Sequence, residues 1–527
     1  MRVAAGVLVL IAASLIAPPA HAAQTCLGRT VTMEYGDGND VILGTDGPDV
    51  IWAGGGNDSI SGGEGSDVIC MGPGNDTAAG GTGTNWYDPG SGDDFIAGDA
   101  SLKQDIIFFS NAPGPISLDM NATPRATGYG NDDWTNIRHA EGSPYNDVLI
   151  GDANPNHLSG GAGDDEIHGG GGNDRLSGGD GNDRLYGEDG GNELYAGAGD
   201  DELYGGPLSD YLEGNDGTDL LVPGAGNDDV DGGLEFCFQE PPICTPQDNS
   251  QNDTVSYAGS ASGVVVDLSL GMAGAGTGTD TIARVEHVVG SDHDDSLTGD
   301  YAQNVLIAGA GNDTLKGMGE DDVLWPELGN DDVQGGEGAD LLDLSSATSG
   351  VTVNLATGLA TGQGSDVVTE VEMVLGTKYA DKLTGSAAAN ILTGGFGNDV
   401  LTGLQGDDIY SGGGGVDTAT FPTATTGVIA NLATGKATGD GADSLFGVER
   451  LTGSAKADQL TGNAGGNVLV GLGGRDVLQG GGGRDQLAGG GGDDRLVGGA
   501  GRDVCNGGPG KDRAKSCERL IKVPRAV

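Results

Sequence analysis

Aspartates recur at an interval of nine residues, and that interval governs what the chain can become. Counting from Asp40 reaches Asp49, Asp58, Asp67 and Asp76. The longest unbroken run is Asp147, Asn156, Asp165, Asp174, Asp183, Asn192, Asp201, Asp210, Asp219 and Asp228. The unit is complete at Gly489-Gly490-Gly491-Gly492-Asp493-Asp494-Arg495-Leu496-Val497. Glycines two, four and five residues before the Asp permit positive φ and let turn carbonyls point inward. Two residues after the Asp stands an aliphatic side chain, as at Ile42, Ile51, Ile60, Ile69, Ile167, Leu176, Leu185, Leu194, Leu203 and Leu212. Six residues therefore make a turn and three a strand, and coiling the units stacks the aliphatics into a narrow apolar column.

Carbonyl and carboxylate oxygens converge in such a turn without imidazole or thiolate, a donor set that suits calcium rather than zinc or copper. The unit GGxGxDxUx resembles the nonapeptide of the RTX, or haemolysin-type, calcium-binding repeats, and the likeness extends over nearly all of the mature chain. The resemblance implies an all-β fold, a right-handed parallel β-roll (β-solenoid), with each calcium between a turn and the one 18 residues later. It pairs Asp49 with Asp67, Asp58 with Asp76, Asp165 with Asp183, Asp476 with Asp494, and Asp494 with Asp512. Carried over residue by residue, the metal ligands are Asp49, Asp58, Asp67, Asp76 and Asp94, then Asp165, Asp174, Asp183, Asp201, Asp219 and Asp228. Further along they are Asp313, Asp331, Asp340, Asp399, Asp408, Asp417, Asp476, Asp485, Asp494, Asp503 and Asp512. Asn85, Asn192 and the glycine-poor turns near Asp210 and Asp322 are expected to bind weakly.

The chain has 105 glycines, 5% aromatic residues and a formal charge of −55, which without cations opposes compaction. Roughly 20–30 calcium ions, near one per complete turn, would offset most of that charge. Folding and calcium binding are thus expected to be one coupled event. The acidic charge disfavours nucleic acid as a partner.

A second pattern separates the nonapeptide tracts in four copies. It is clearest as Gly263, Asp267, Leu268, Asp280, Glu286 and Gly290; as Gly350, Asn354, Leu355, Asp366, Glu372 and Gly376; and as Gly427, Asn431, Leu432, Asp443, Glu449 and Gly453. The first copy, from Ile116 through Asp132 to Gly142, has Arg138 in place of Glu. The resulting division is 1–22 leader, tracts 23–110, 143–262, 291–349, 377–426 and 454–527, and spacers 111–142, 263–290, 350–376 and 427–453. Alternation in Val351-Thr-Val353-Asn-Leu355 indicates strand, so the spacers are expected to continue the coil with longer corners. After each spacer the register resumes at Asp147, Asp295, Asp381 or Asp458, with Asn nine residues on at Asn156, Asn304, Asn390 and Asn467, turns expected to be weak or empty. Asp253 reads as the next turn after Asp228, interrupted by a surface loop containing Cys237, Pro241, Pro242, Cys244 and Pro246.

Met1-Arg2, the apolar run Val3 to Ala17 and Ala20-His21-Ala22 form a secretory signal with a cut after Ala22. The run is short for a membrane span and no second one follows, so a secreted, extracellular protein without a transmembrane segment is expected. Six cysteines fit an oxidising compartment. Of fifteen possible pairings, the local ones are favoured: Cys26 with Cys70, Cys237 with Cys244, and Cys505 with Cys517. Lys511, Arg513, Lys515, Arg519, Lys522 and Arg525 make a basic C-terminal cap, which could also attach to cell-wall or extracellular polysaccharide. No HExxH, GxSxG or P-loop is present, and His168 falls at a surface position of its repeat. The function expected is a non-enzymatic, secreted calcium-binding protein with a structural, adhesive or matrix role. The alternative is an accessory module of, or a divergent member of, a secreted RTX enzyme family.

Overall fold

The structure, a computed structural model, describes residues 24–101, 104–233, 252–275 and 278–521. The leader, the loop with Cys237 and Cys244, and Lys522 and Arg525 lie outside the described residues. Every regular element among the described residues is a strand. No helix there is long and apolar enough to cross a membrane. The chain divides into two compact units, Met1–Asp152 with Asn156–Ala162, and Ala153–Pro155 with Gly163–Val527.

Each unit is a parallel β-roll in which a strand pairs with the one 18 residues later, so successive nonapeptides alternate between two sheets. In the first unit Ile51 faces Ile69 and Ile69 faces Tyr87 in one sheet, while Ile42, Ile60 and Ala78 run through the other. In the second, Leu176, Leu194 and Leu212 form one column and Leu185, Leu203 and Leu221 its counterpart. All of these side chains are buried. The period-two geometry of a strand turns one residue of each three-residue strand inward, and the nine-residue period makes that residue the aliphatic.

The first unit carries a hairpin, Thr25–Cys26 against Arg29–Thr30, tied by the Cys26–Cys70 disulfide. The second unit carries the Cys505–Cys517 disulfide. Two of the three expected pairings are therefore formed, and the third, Cys237 with Cys244, lies outside the described residues. Asp253 also takes its expected place, since Thr254 pairs with Leu220 in register with the strand before it.

The spacers depart from expectation. Their ends do continue the stack, but the middle of each runs backwards. In the second copy Val264–Asp267 lies two strands ahead of its place, Met272–Ala275 returns antiparallel, and Gly278–Ala283 fills in beside Asp229–Asp231. Val264–Asp267 then receives Ser296–Thr298 as its parallel neighbour. The other three copies repeat the arrangement. Each excursion begins four residues after the last tract Asp, where a buried Phe109, Tyr257, Leu344 or Phe421 stands in place of the usual turn glycine. Bulk alone is not the cause, since Met71 is buried at the same position of a regular turn; the excursion is held by the antiparallel pairing of its middle strand with both neighbours.

Which sheet carries the excursion depends on counting. Six turns, from Asp295 to Asp340, separate the second spacer from the third, and both excursions lie in the same sheet. Only five turns, Asp381 to Asp417, precede the fourth, and it lies in the opposite sheet. Leu203→Ala should cost about 2–5 kcal/mol by removing a link of the column. Urea unfolding of the calcium-loaded protein measures this, and a loss no larger than that for Leu208→Ala, at an exposed turn position, would count against the column as the core.

Candidate metal centre

At most ladder positions the carboxylate splits its two oxygens between two tasks. Oδ1 accepts the main-chain N–H of the Asp 18 residues earlier: Asp67 from Asp49 at 2.9 Å, Asp76 from Asp58 at 2.7 Å, Asp183 from Asp165 at 2.8 Å, Asp494 from Asp476 at 2.9 Å and Asp512 from Asp494 at 3.1 Å. The five pairs expected from the sequence are thus brought together. Oδ2 is buried and has no hydrogen-bond partner at Asp58, Asp67, Asp76, Asp94, Asp165, Asp174, Asp183, Asp201, Asp219 and Asp228. The same holds at Asp313, Asp331, Asp340, Asp399, Asp408, Asp417, Asp476, Asp485, Asp494, Asp503 and Asp512. A buried carboxylate oxygen left without a partner is costly, so its repetition calls for a compensating charge.

The space before that oxygen is bounded by carbonyls. A methyl group added at Gly489 would meet Asp494 Oδ2 and, at 2.8 Å, the Gly507 carbonyl oxygen; one at Gly471 would meet Asp476 Oδ2 and the Gly489 carbonyl oxygen at 2.5 Å. At Gly489 and Gly471 a side chain would fill that room, whereas Gly490, at φ +98°, is needed for its left-handed backbone. Among the described residues no three His, Cys, Asp or Glu side chains form a metal-holding group. A cation here would be held by one carboxylate per turn together with backbone carbonyls. Oxygen-only donors of this kind fit calcium, which when bound supplies the positive charge that these carboxylates lack. Asp494 and the Gly489 and Gly507 carbonyls would hold it at one such turn.

Asp49 alone among the expected ligands is different. Its Oδ2 accepts the Thr45 N–H at 2.7 Å and the Thr45 hydroxyl at 3.0 Å.

Several residues outside the expected ligand set also belong to the ladder. Asp210, Asp253 and Asp322 present the same orphaned Oδ2. Spacer residues also complete the ladder: Asp132, Asp280, Asp366 and Asp443 accept the N–H of Asp94, Asp228, Asp331 and Asp408. Glu286, Glu372 and Glu449, with Glu518 in the C-terminal cap, do the same for Asp253, Asp340, Asp417 and Asp503. Gly276-Thr-Gly278-Thr-Asp280 carried the signal, being itself a GxGxD fragment. His168 packs outside this system, stacked on Tyr186 at 4.5 Å with Tyr204 beyond it.

Electrostatics agree with the geometry. Burial pushes the Asp201 carboxyl up to about 8, with the charges of Asp219 and Asp183 adding to it. Burial likewise raises Asp94 to about 8 and Asp476 to about 7. In the metal-free roll these groups hold protons more tightly than in the unfolded chain, where 3.8 is the ordinary value.

A family model described as the RTX calcium-binding nonapeptide repeat (4 copies) matches residues 34–69, 72–96, 141–176, 177–212, 204–235, 289–324, 325–346, 375–419, 446–478 and 479–514, more than half of the chain. A search of curated proteins returns no match.

Asp494→Ala should remove roughly one or two bound ions, from the turns it adjoins, and leave distant tracts loaded. Calorimetric stoichiometry checks this, and uniform loss across the tracts would contradict a local ladder. The raised pKa values set a second expectation. Their contribution favours the metal-free roll below the unfolded value and is lost as pH rises through about 7–8. In chelator, circular dichroism should therefore show more β structure at about pH 5 than at about pH 9, and the reverse order would refute it.

Proposed function

The chain belongs to the RTX calcium-binding nonapeptide-repeat family, and on that premise we propose that it is a secreted protein that folds around calcium outside the cell. There it serves as a structural, adhesive or matrix component and catalyses nothing itself. The observation that carries this reading is the repeated buried Oδ2 without a partner, facing backbone carbonyls. With a formal charge of −55, the roll needs cations before it can compact. A setting where calcium is scarce would leave it open, and one where calcium is plentiful would close it.

Two disulfides support an oxidising compartment. The basic residues Lys511, Arg513, Lys515 and Arg519 close an otherwise acidic chain and suit an anionic cell-wall or extracellular polysaccharide.

The decisive experiment is calcium titration of the oxidised, chelator-stripped mature chain, followed by circular dichroism and calorimetry together. A coil-to-β transition with about 20–30 ions bound is expected. β structure indifferent to chelator would overturn the calcium reading. Retention of the loaded protein on anionic wall polymer, with release by salt, is the expected second result, and turnover of that polymer would instead favour the enzyme-linked alternative.

A further inference from the structure

The ladder contains two kinds of turn, told apart by the residue four positions before the Asp. Where Oδ2 of a ladder Asp is orphaned, that residue is left-handed wherever it lies among the described residues. It is usually glycine, but Asn215 (φ 74°), Met318 (φ 90°), Glu327 (φ 60°), Leu404 (φ 78°) and Leu472 (φ 73°) adopt the same backbone despite their side chains. Backbone strain of that kind, paid five times, implies that the conformation itself matters.

The first turn after every spacer is built otherwise. Ser143, Ser291, Thr377 and Ser454 stand at that position, buried, and none is left-handed. The main-chain N–H of each donates to Oδ2 of its own Asp, and the hydroxyl donates to Oδ1 at 2.8–3.0 Å. Oδ1 also accepts the N–H of Ile116, Val264, Val351 or Val428, each at 2.7 Å. Both oxygens of Asp147, Asp295, Asp381 and Asp458 are therefore satisfied by the chain. A cation at such a turn would face the positive ends of an N–H and an O–H instead of a free carboxylate oxygen.

The second turn after each spacer is closed in a neutral form. The Oδ1 of Asn304, Asn390 and Asn467 accepts the N–H four residues before it at 2.6–2.8 Å. Nδ2 donates to the carbonyl of Glu286, Glu372 or Glu449, 18 residues earlier. The Asn oxygen is thus held within its own turn, and its amide N–H is spent on the turn 18 residues earlier. Asn192 differs, because Glu188 before it is left-handed (φ 62°) and its Oδ1 accepts the Asp174 N–H like an open-turn Asp.

We propose that the residue four before the ladder Asx sets metal occupancy, so that the two turns after every spacer are calcium-independent staples and calcium-filled turns begin only beyond them. This rests on the calcium reading above and refines it: the spacers divide the ladder into separately anchored calcium tracts.

The test compares two full-length mature variants by calcium stoichiometry, with circular dichroism confirming that each folds at saturating calcium. One carries Asp147→Asn, Asp295→Asn, Asp381→Asn and Asp458→Asn. The other carries Asp183→Asn, Asp331→Asn, Asp417→Asn and Asp494→Asn. The first should bind as many ions as the parent chain, and the second about four fewer, one for each altered turn. Equal losses in both would overturn the proposal while leaving the calcium reading intact. No loss in either would remove the calcium reading and this inference with it. Should the first variant fail to fold, Ser454→Ala alone takes its place: an unchanged ion count is expected, and loss of an ion would refute the closed turn.

Discussion

One carboxylate oxygen held by the backbone while its twin is buried without a partner is the constraint from which the rest of this molecule follows. The Oδ1 bond welds each turn to the turn 18 residues on, so the Asp cannot swing out to water. Oδ2 is then fixed inside the roll, where burial and neighbouring carboxylates penalise its charge. Where a glycine stands five residues earlier, as at Gly489, it leaves the facing space clear, and the left-handed residue next to it sets the backbone around that space. With only one large apolar side chain per nonapeptide, the roll has little hydrophobic surface to set against this penalty. A bound cation converts the same repeated penalty into the attraction that closes the coil.

Much of this was legible because a period is arithmetic. The nine-residue step places the inward aliphatics, the 18-residue pairs and even Asp253 beyond its insertion, since any error of register would break the count. The cysteine pairs Cys26–Cys70 and Cys505–Cys517 were also within reach, each being local. The spacers were not. Alternation in Val351-Thr-Val353-Asn-Leu355 identifies a strand, but a strand's direction and neighbours are set by pairing with segments far away. Glu286, Glu372 and Glu449 were hidden for a different reason: they stand nine residues before Asp295, Asp381 and Asp458, on the count itself, but the motif's carboxylate is Asp, and only the fold shows the longer side chain reaching the same kind of N–H.

Residue identity misled in both directions at the turns. Asp49 carries the motif's carboxylate, yet Thr45 occupies the oxygen that a cation would need. Met318 and Leu404 look wrong for a turn that requires positive φ, yet they adopt it and leave Asp322 and Asp408 in the open geometry. Short-range hydrogen bonding decides the first case and the stacked turns above and below decide the second. Neither is encoded in the spacing.

The alternation of sheets gives repeat number a meaning beyond length. In the second unit, inheriting or losing a pair of nonapeptides would leave every later strand on the side it already occupies. A single one would carry every later strand across to the other side, as the fourth spacer's excursion stands opposite the third's. Slippage during replication of such a gene is therefore not neutral in odd steps. It exchanges the outward-facing residues of everything downstream, so this roll can present a new surface without altering one side chain.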